Sequence, residues 1–215
     1  MKKLQLSFGN YYYDKLMKPI RKQKDCIALI LDILNILLVG EEISDERGMI
    51  MIVVDKMSRI FCFSGKKYFS MVFPFDMERI EEEGNNYRIY DLALNMEIDN
   101  RLIVLMERIL NQIDFEESTI DEIIEKAYFD VAEEGYSEDE VGDCFNLVMR
   151  LLSMELGYIR YDDDPEHANG ALHPLYHLDV NYSSKGTYKL GINREMGEED
   201  FIDLLNVKTD CKYIM

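Results

Sequence analysis

The stretch MIMIVVDKMSRIFCFSGKKYFSMVF, residues 49–73, decides the fold of this 215-residue chain. It contains three β-branched or aromatic runs, at 49–54, 59–63 and 68–73, and each run is about as long as a strand. The polar segments DKMS and SGKK between the runs are typical of hairpin turns. The stretch therefore predicts a three-stranded antiparallel meander.

An apolar helix is predicted before this meander, from about Ile20 to Val39. Its second half is apolar nearly all round, which is typical of a helix in the core, and Gly40 suits the position just beyond a helix end. Because its apolar run is shorter than the roughly 20 residues that span a bilayer, we expect no membrane span.

The first residues are too polar for a signal peptide, and the four cysteines are widely spaced, so a cytoplasmic location is expected.

Helices and then strands are predicted after the meander. Helices are expected at 98–113, from Ser118 to about 131, and from the capping box at Ser137 to Gly157. Strands are expected at 158–161, 176–182 and 187–192, with a turn at 183–186 and a last helix at 198–206; a further strand is suggested at 87–90.

The order of these elements predicts an α+β fold, with an N-terminal helix packed on a small antiparallel meander and then a helical bundle with a C-terminal β-hairpin. Residues 1–97 and 98–215 form two domains or one continuous domain.

The order of three helices, a strand and a hairpin over 98–192 resembles a winged-helix module. In that family the third helix enters the major groove of DNA. Here the third helix carries five acidic residues against Arg150 alone. The resemblance therefore implies a winged helix that binds protein and not DNA.

Charge is distributed unevenly along the chain. The formal net charge is −18, yet residues 1–24 carry +6, and residues 114–143 hold thirteen acidic residues against Lys126. Such a surface repels phosphate and attracts basic partners. We expect a basic protein partner, or self-association through the basic arm 1–24, with no direct binding to nucleic acid or membrane; a solvated face that confers only solubility is the simpler alternative. The expected partner-binding residues are Glu133, Glu134, Glu138, Asp139, Glu140 and Asp143.

All three histidines lie within eleven residues, at 167, 173 and 177. His177 and Asp179 are two apart on a predicted strand, so both face one side, and with His173 they could form a set of two histidines and one carboxylate for a divalent cation. Such pairs arise easily by chance, so we predict no metal and no cofactor. The simplest interpretation is structural, with His177 half-buried and Asp162–Glu166 a solvated loop.

Two hydrolytic interpretations of the same segment stay open. His173 or His177 could serve as a general base beside Asp179, with Arg160 contacting phosphate. Arg160 and His167 loosely resemble the Arg-x(4–6)-His motif of a class of helical ribonucleases, but that motif belongs at a helix start. The intervening acidic residues would also repel RNA.

The segment His173-Pro-Leu-Tyr-His177-Leu-Asp179, followed by a Lys-Leu-Gly-Ile strand and an acidic helix, resembles the C-terminal ends of uncharacterised bacterial families. Those families are often encoded in toxin–antitoxin or phage-defence neighbourhoods. The resemblance covers about fifty residues, from 160 to 205. It implies a bacterial or mobile-element protein and carries no reaction with it.

These observations favour an acidic intracellular interaction protein or accessory subunit, of a bacterial defence or toxin–antitoxin system, over an enzyme. DNA mimicry is a special case. The sequence contains no phosphate-binding loop, nucleophile elbow or usual metal motif. The alternative is a small His-dependent hydrolase or ribonuclease-type toxin built on His173, His177, Asp179 and Arg160.

Overall fold

A computed structural model describes residues 2–39, 45–80, 87–112, 114, 117–132, 135–181 and 188–211. It confirms the α+β class. The helices are α1 Asn10–Leu16, α2 Gln23–Val39, α3 Asn100–Gln112, α4 Ile120–Ala132, α5 Glu138–Ser153 and α6 Glu198–Leu204. The strands are β1 Lys2–Phe8, β2 Gly48–Val54, β3 Arg59–Ser64, β4 Lys67–Val72, β5 Asp76–Arg79, β6 Tyr87–Asp91, β7 Met96–Glu97, β8 Ile159–Asp163, β9 Tyr176–Val180 and β10 Tyr188–Gly191.

The chain groups into two compact units that alternate along the sequence. One unit contains residues 1–26, 41–73 and 156–215, and the other contains residues 27–40 and 74–155. The division of the sequence at 97/98 stays a prediction. Most apolar side chains of α2 are buried, with Ile30 and Leu34 fully so, as predicted for a core helix, whereas Val39 at its end is 67% exposed.

The first unit is built on a seven-stranded antiparallel sheet with the strand order β1-β2-β3-β4-β8-β9-β10. The central β2-β3-β4 part is the predicted meander. One face of the sheet buries an aromatic-rich cluster against Phe201 of α6, whose ring meets those of Phe61, Phe63 and Tyr68 with centroids 6.0–6.4 Å apart. Phe201 is the fully buried side chain of α6, and Ile202 and Leu204 pack against the same cluster, partly buried.

The basic N-terminal segment is an ordered part of this unit. Residues 2–8 form the edge strand β1, with Leu4 opposite Ile52 of β2, and residues 10–16 form a short helix. Leu4, Leu6 and Phe8 alternate with polar residues, so the period of two that marks a strand was present in the sequence. Lysines at the start of an edge strand discourage pairing with further strands.

The second unit contains a three-stranded sheet, β5-β6-β7, and three mutually packed helices, α3, α4 and α5. The capping box is confirmed, because Ser137 and Glu140 each accept a hydrogen bond from the other's backbone amide. Arg150 of α5 donates to the fully buried Asp91 of β6 at 2.5 Å, and Asp91 also accepts from two turn amides. This buried pair joins α5 to the small sheet.

The winged-helix interpretation is not supported by the strand order. It required the strands after α5 to form a wing on the three helices. Instead β8 pairs with β4, with Arg160 opposite Phe69, so β8, β9 and β10 extend the meander's sheet. The expected antiparallel pair of β9 and β10 is present, and the predicted turn at 183–186 lies outside the described residues.

Candidate functional site

The polar residues singled out between 160 and 179 lie on two neighbouring strands, β8 and β9. The antiparallel register places Arg160 opposite Asp179 and Asp162 opposite His177. Directly opposed residues share a face, and residues two apart on a strand share it too. All four side chains therefore lie on one face of the sheet, while Tyr161 faces the aromatic cluster on the other side.

Arg160 holds both aspartates. Its Nε donates to Asp162 Oδ2 at 2.7 Å, and its Nη2 donates to Asp179 Oδ2 at 3.0 Å. The Asp162 and Asp179 side chains are only 4% and 8% exposed. Burial by itself would lower the pKa of the Arg160 guanidinium, but the two carboxylates, Asp162 first, raise it above its ordinary value. These contacts form a buried charged network.

The predicted solvated loop at Asp162–Glu166 is wrong in its first two residues. Asp162 and Asp163 belong to β8 and are buried. Both carboxylates form ion pairs, because Asp162 binds Arg160, two residues earlier on the same strand, and Asp163 lies 2.6 Å from Lys66 Nζ. A run of consecutive acidic residues is typical of a loop, but here the Asp162 and Asp163 carboxylates are each paired with a neighbouring cation.

The tautomer of the His177 ring is fixed by a hydrogen bond to a backbone carbonyl three residues earlier in the chain. Its Nδ1 lies 2.9 Å from the carbonyl oxygen of Pro174, and a carbonyl oxygen only accepts, so Nδ1 carries the proton. The other nitrogen, Nε2, lies 3.8 Å from Asp162 Oδ2. In the neutral ring Nε2 therefore presents a lone pair to the carboxylates.

The other two histidines lie on the loop that joins β8 to β9, residues 164–175, which we call the histidine loop. The His173 ring packs edge-on against His177, with centroids 4.7 Å apart. His167 is exposed, and its Nδ1 donates to Asp164 at 2.9 Å. Burial would raise the pKa of Asp164, but the hydrogen bonds from His167 hold it below its ordinary value. The histidines thus form a row, from exposed His167 to buried His177.

The sequence and the structure differ on which residues could hold a cation. The predicted set was His173, His177 and Asp179. The structure brings single ligand atoms of Asp162, His177 and Asp179 within 4.8 Å of one another. Asp162 was missed because its partner in register, His177, is fifteen residues away; the repeated spacing Arg-x-Asp and His-x-Asp was the only signal.

The predicted partner-binding acids lie at the start of α5, in the second unit. Glu138 and Asp139 are exposed on its first turn, Asp143 is exposed one turn later, and Glu140 is half-buried. Glu133 and Glu134 lie outside the described residues. Glu140 and Asp143 also line a cavity of about 250 Å³ in this unit.

The cavity combines an apolar wall with carboxylates. The apolar and aromatic lining residues are Met96, Leu102, Leu105 and Tyr136, and the acidic ones are Glu97, Asp99, Glu140 and Asp143. Among its described lining residues, Arg101 is the single base. The formal charge of the lining at neutral pH is therefore −3.

Arg101 shows how this environment binds a guanidinium. Its Nε donates to Glu140 Oε1 at 2.6 Å, and its guanidinium carbon lies 4.5 Å from the centroid of the Tyr136 ring. The hydrogen bonds from Arg101, and then those from Ser137, lower the pKa of Glu140 to about 2. Sequence reasoning missed Arg101 and Tyr136, since Arg101 and Glu140 are 39 residues apart.

Comparison of the chain with protein-family models, with curated proteins and with solved structures gave no match. Among the described residues, no helix is both long enough and apolar enough to cross a bilayer.

Proposed function

We propose that this protein is an acidic interaction protein or accessory subunit that binds a basic segment of a partner protein. The observation that carries the proposal is the cavity beside α5, whose lining combines four carboxylates with apolar and aromatic side chains. Lysine and arginine side chains consist of an apolar stem and a cationic head. A cavity lined by both apolar and acidic side chains complements both parts.

The size of the cavity supports a side chain as its occupant. Sites for drug-sized small molecules have volumes of about 300–1,000 Å³. At about 250 Å³, this cavity is smaller. A single long side chain of a partner is therefore the better fit, and neighbouring acids such as Glu138 and Asp139 would lie along the rest of a basic segment.

Two carboxylates of the cavity are available for a partner's cation. Glu140 is engaged by Arg101, and Asp99 accepts the Leu102 amide at 2.8 Å as a helix cap. Asp143 and Glu97 are exposed. Glu97 forms an ion pair with Arg88 at 3.8 Å, but both side chains are more than half exposed, and such surface pairs are weak. We therefore assign recognition to Glu97 and Asp143.

The test is binding of a short labelled peptide of alternating arginine and glycine, followed by fluorescence anisotropy at physiological salt. The Glu97→Lys/Asp143→Lys variant should bind at least about tenfold more weakly, which corresponds to about 1.4 kcal/mol. The control Glu125→Lys/Glu155→Lys makes the same change in charge at exposed sites outside the cavity, and it should bind like wild type. Equal weakening by both pairs would show an unspecific acidic surface, and no binding by wild type would refute the proposal.

The His-dependent hydrolase is the alternative, because the structure brings His177, Asp179 and Arg160 together as it requires. However, His177 is 1% exposed, and its Nδ1 is engaged with Pro174. A general base must reach the proton that it removes from a substrate. This geometry supports the interaction protein better. The link to bacterial defence systems, with DNA mimicry as its special case, is a proposal that depends on the C-terminal resemblance and the acidic surface.

A further inference from the structure

We propose that Asp162, His177 and Asp179 bind one divalent transition-metal ion of the Zn²⁺ or Mn²⁺ type. One ligand atom of each residue lies within 4.8 Å of the others. Metal–ligand bonds to carboxylate oxygen and imidazole nitrogen are about 2.0–2.2 Å long. Two ligand atoms of one ion are thus at most about 4.4 Å apart, so side-chain rotations would be needed to bring the three atoms to a common centre.

A second observation points to a missing cation. Asp162 Oδ1 is buried and has no hydrogen-bond partner among the described residues, although its other oxygen is bound by Arg160. An unsatisfied acceptor on a buried carboxylate is costly. The Asp162 and Asp179 side chains are both more than nine-tenths buried. A metal ion bound by Asp162 Oδ1 would satisfy this acceptor.

The imidazole is oriented as in many metal sites. Metal-binding histidines usually donate their second ring N–H to a carbonyl or a carboxylate, which fixes the ring and the tautomer. His177 donates Nδ1–H to Pro174 and presents Nε2 toward Asp162. His173 Nδ1 is likewise buried without a partner among the described residues, beside the His177 ring. His173 is therefore a candidate for a fourth ligand.

Arg160 acts as a positioning residue in this arrangement. It binds the Oδ2 atoms of both aspartates and so fixes how the two carboxylates are turned. Imidazole and carboxylate together suit Zn²⁺ and Mn²⁺, while Mg²⁺ and Ca²⁺ prefer oxygen ligands alone. Because the three ligand residues are buried, the ion would join β8 to β9 and secure the histidine loop.

The experiment uses the full chain, stripped with EDTA and then titrated with Zn²⁺ or Mn²⁺ in a calorimeter. We expect one ion per chain and, at about a hundredfold excess over Kd, a rise in melting temperature of about 5–10 °C. Binding of Co²⁺ should also produce visible absorption bands of a site with nitrogen and oxygen ligands. No binding by the wild-type chain would overturn the proposal.

Variants separate this site from the exposed pair next to it. Asp162→Asn and His177→Gln should each weaken binding by more than about 100-fold, since loss even of outer partners costs about 10–100-fold. His167→Ala alters the exposed residue of this pair, and it should leave affinity and stoichiometry unchanged. Loss of binding in His167→Ala with retention in Asp162→Asn would place the ion on the surface and overturn the proposal.

If Asp162→Asn or His177→Gln does not fold, a second measurement tests whether the chain binds an ion at this site. The metal content of native wild-type protein is then compared with that of His173→Gln, by mass spectrometry under native conditions. One bound ion per wild-type chain, held more weakly in the His173→Gln variant, supports the site. Wild-type protein without an ion after growth in zinc- and manganese-supplemented medium would refute it.

Discussion

Gly191 of β10 lies directly beneath Pro174 of the histidine loop, so closely that a β-carbon on Gly191 would be 2.8 Å from Pro174 Cγ. Gly191 is also opposite His177 in the sheet. The loop that carries His173 and Pro174 can therefore pack over β10 only because residue 191 has no side chain. This contact fixes the Pro174 carbonyl that orients His177.

Gly191→Ser should destabilise the protein by about 1–3 kcal/mol, which is typical of overpacking in a tight contact. Chemical denaturation measures the change. Gly197→Ser is the matched control, since a β-carbon there meets nothing within 4 Å and serine is a good residue for the N-cap of α6. Gly191→Ser combined with Pro174→Ala should recover part of the loss; if it recovers none, the contact does not cause the effect.

Arg160→Met should destabilise the protein by about 3–5 kcal/mol, because it leaves the buried Asp162 and Asp179 without their cation. The measurement is urea unfolding in EDTA. Arg194→Met removes an exposed pair with Asp200 at 3.4 Å and should cost no more than about 1 kcal/mol. Similar losses in the two variants would contradict the buried network.

Phe201→Ala should cost about 3–5 kcal/mol, since Phe201 is fully buried and anchors α6 on the aromatic cluster. Thermal and urea unfolding check the value. Val207→Ala, at an exposed site shortly after α6, should change stability by less than about 0.5 kcal/mol. A wild-type-like Phe201→Ala variant would show that α6 is not held through this ring.

Glu140 should make stability depend on pH in the acidic range. Its pKa is about 2 in the folded protein against an ordinary 4.5, because Arg101 and the Ser137 amide favour its charged form. Its contribution to folding is therefore complete above about pH 4.5 and is lost as the pH falls toward 2. Glu140→Gln keeps a residue suited to the capping box but removes the charge.

Melting curves of wild type and Glu140→Gln between pH 2 and 7 test this dependence. The two melting temperatures should differ most near neutral pH and converge at the acidic end. Glu138→Gln, on the same turn and exposed, is the control and should show no such convergence. A constant difference between wild type and Glu140→Gln at every pH would assign the effect to packing and not to charge.

The predictable parts of this protein are those with a local signal. The three runs at 49–73 specify β2, β3 and β4, because strand length, alternation and turn residues all lie within neighbouring residues. The capping box at Ser137 similarly marks the start of α5. The short β5 and β7 were missed because each has only four or two residues and depends on β6 for pairing.

The candidate sites depend on contacts between distant residues, and local patterns do not encode such contacts. The sequence by itself determined that histidines and acids concentrate near the C-terminus and that His177 and Asp179 share a face, since strand side chains alternate. Only the tertiary structure decided that β8 lies between β4 and β9, which buries Asp162 and places it opposite His177. The cause is register, because pairing across strands selects the neighbours of each side chain independently of their distance along the chain.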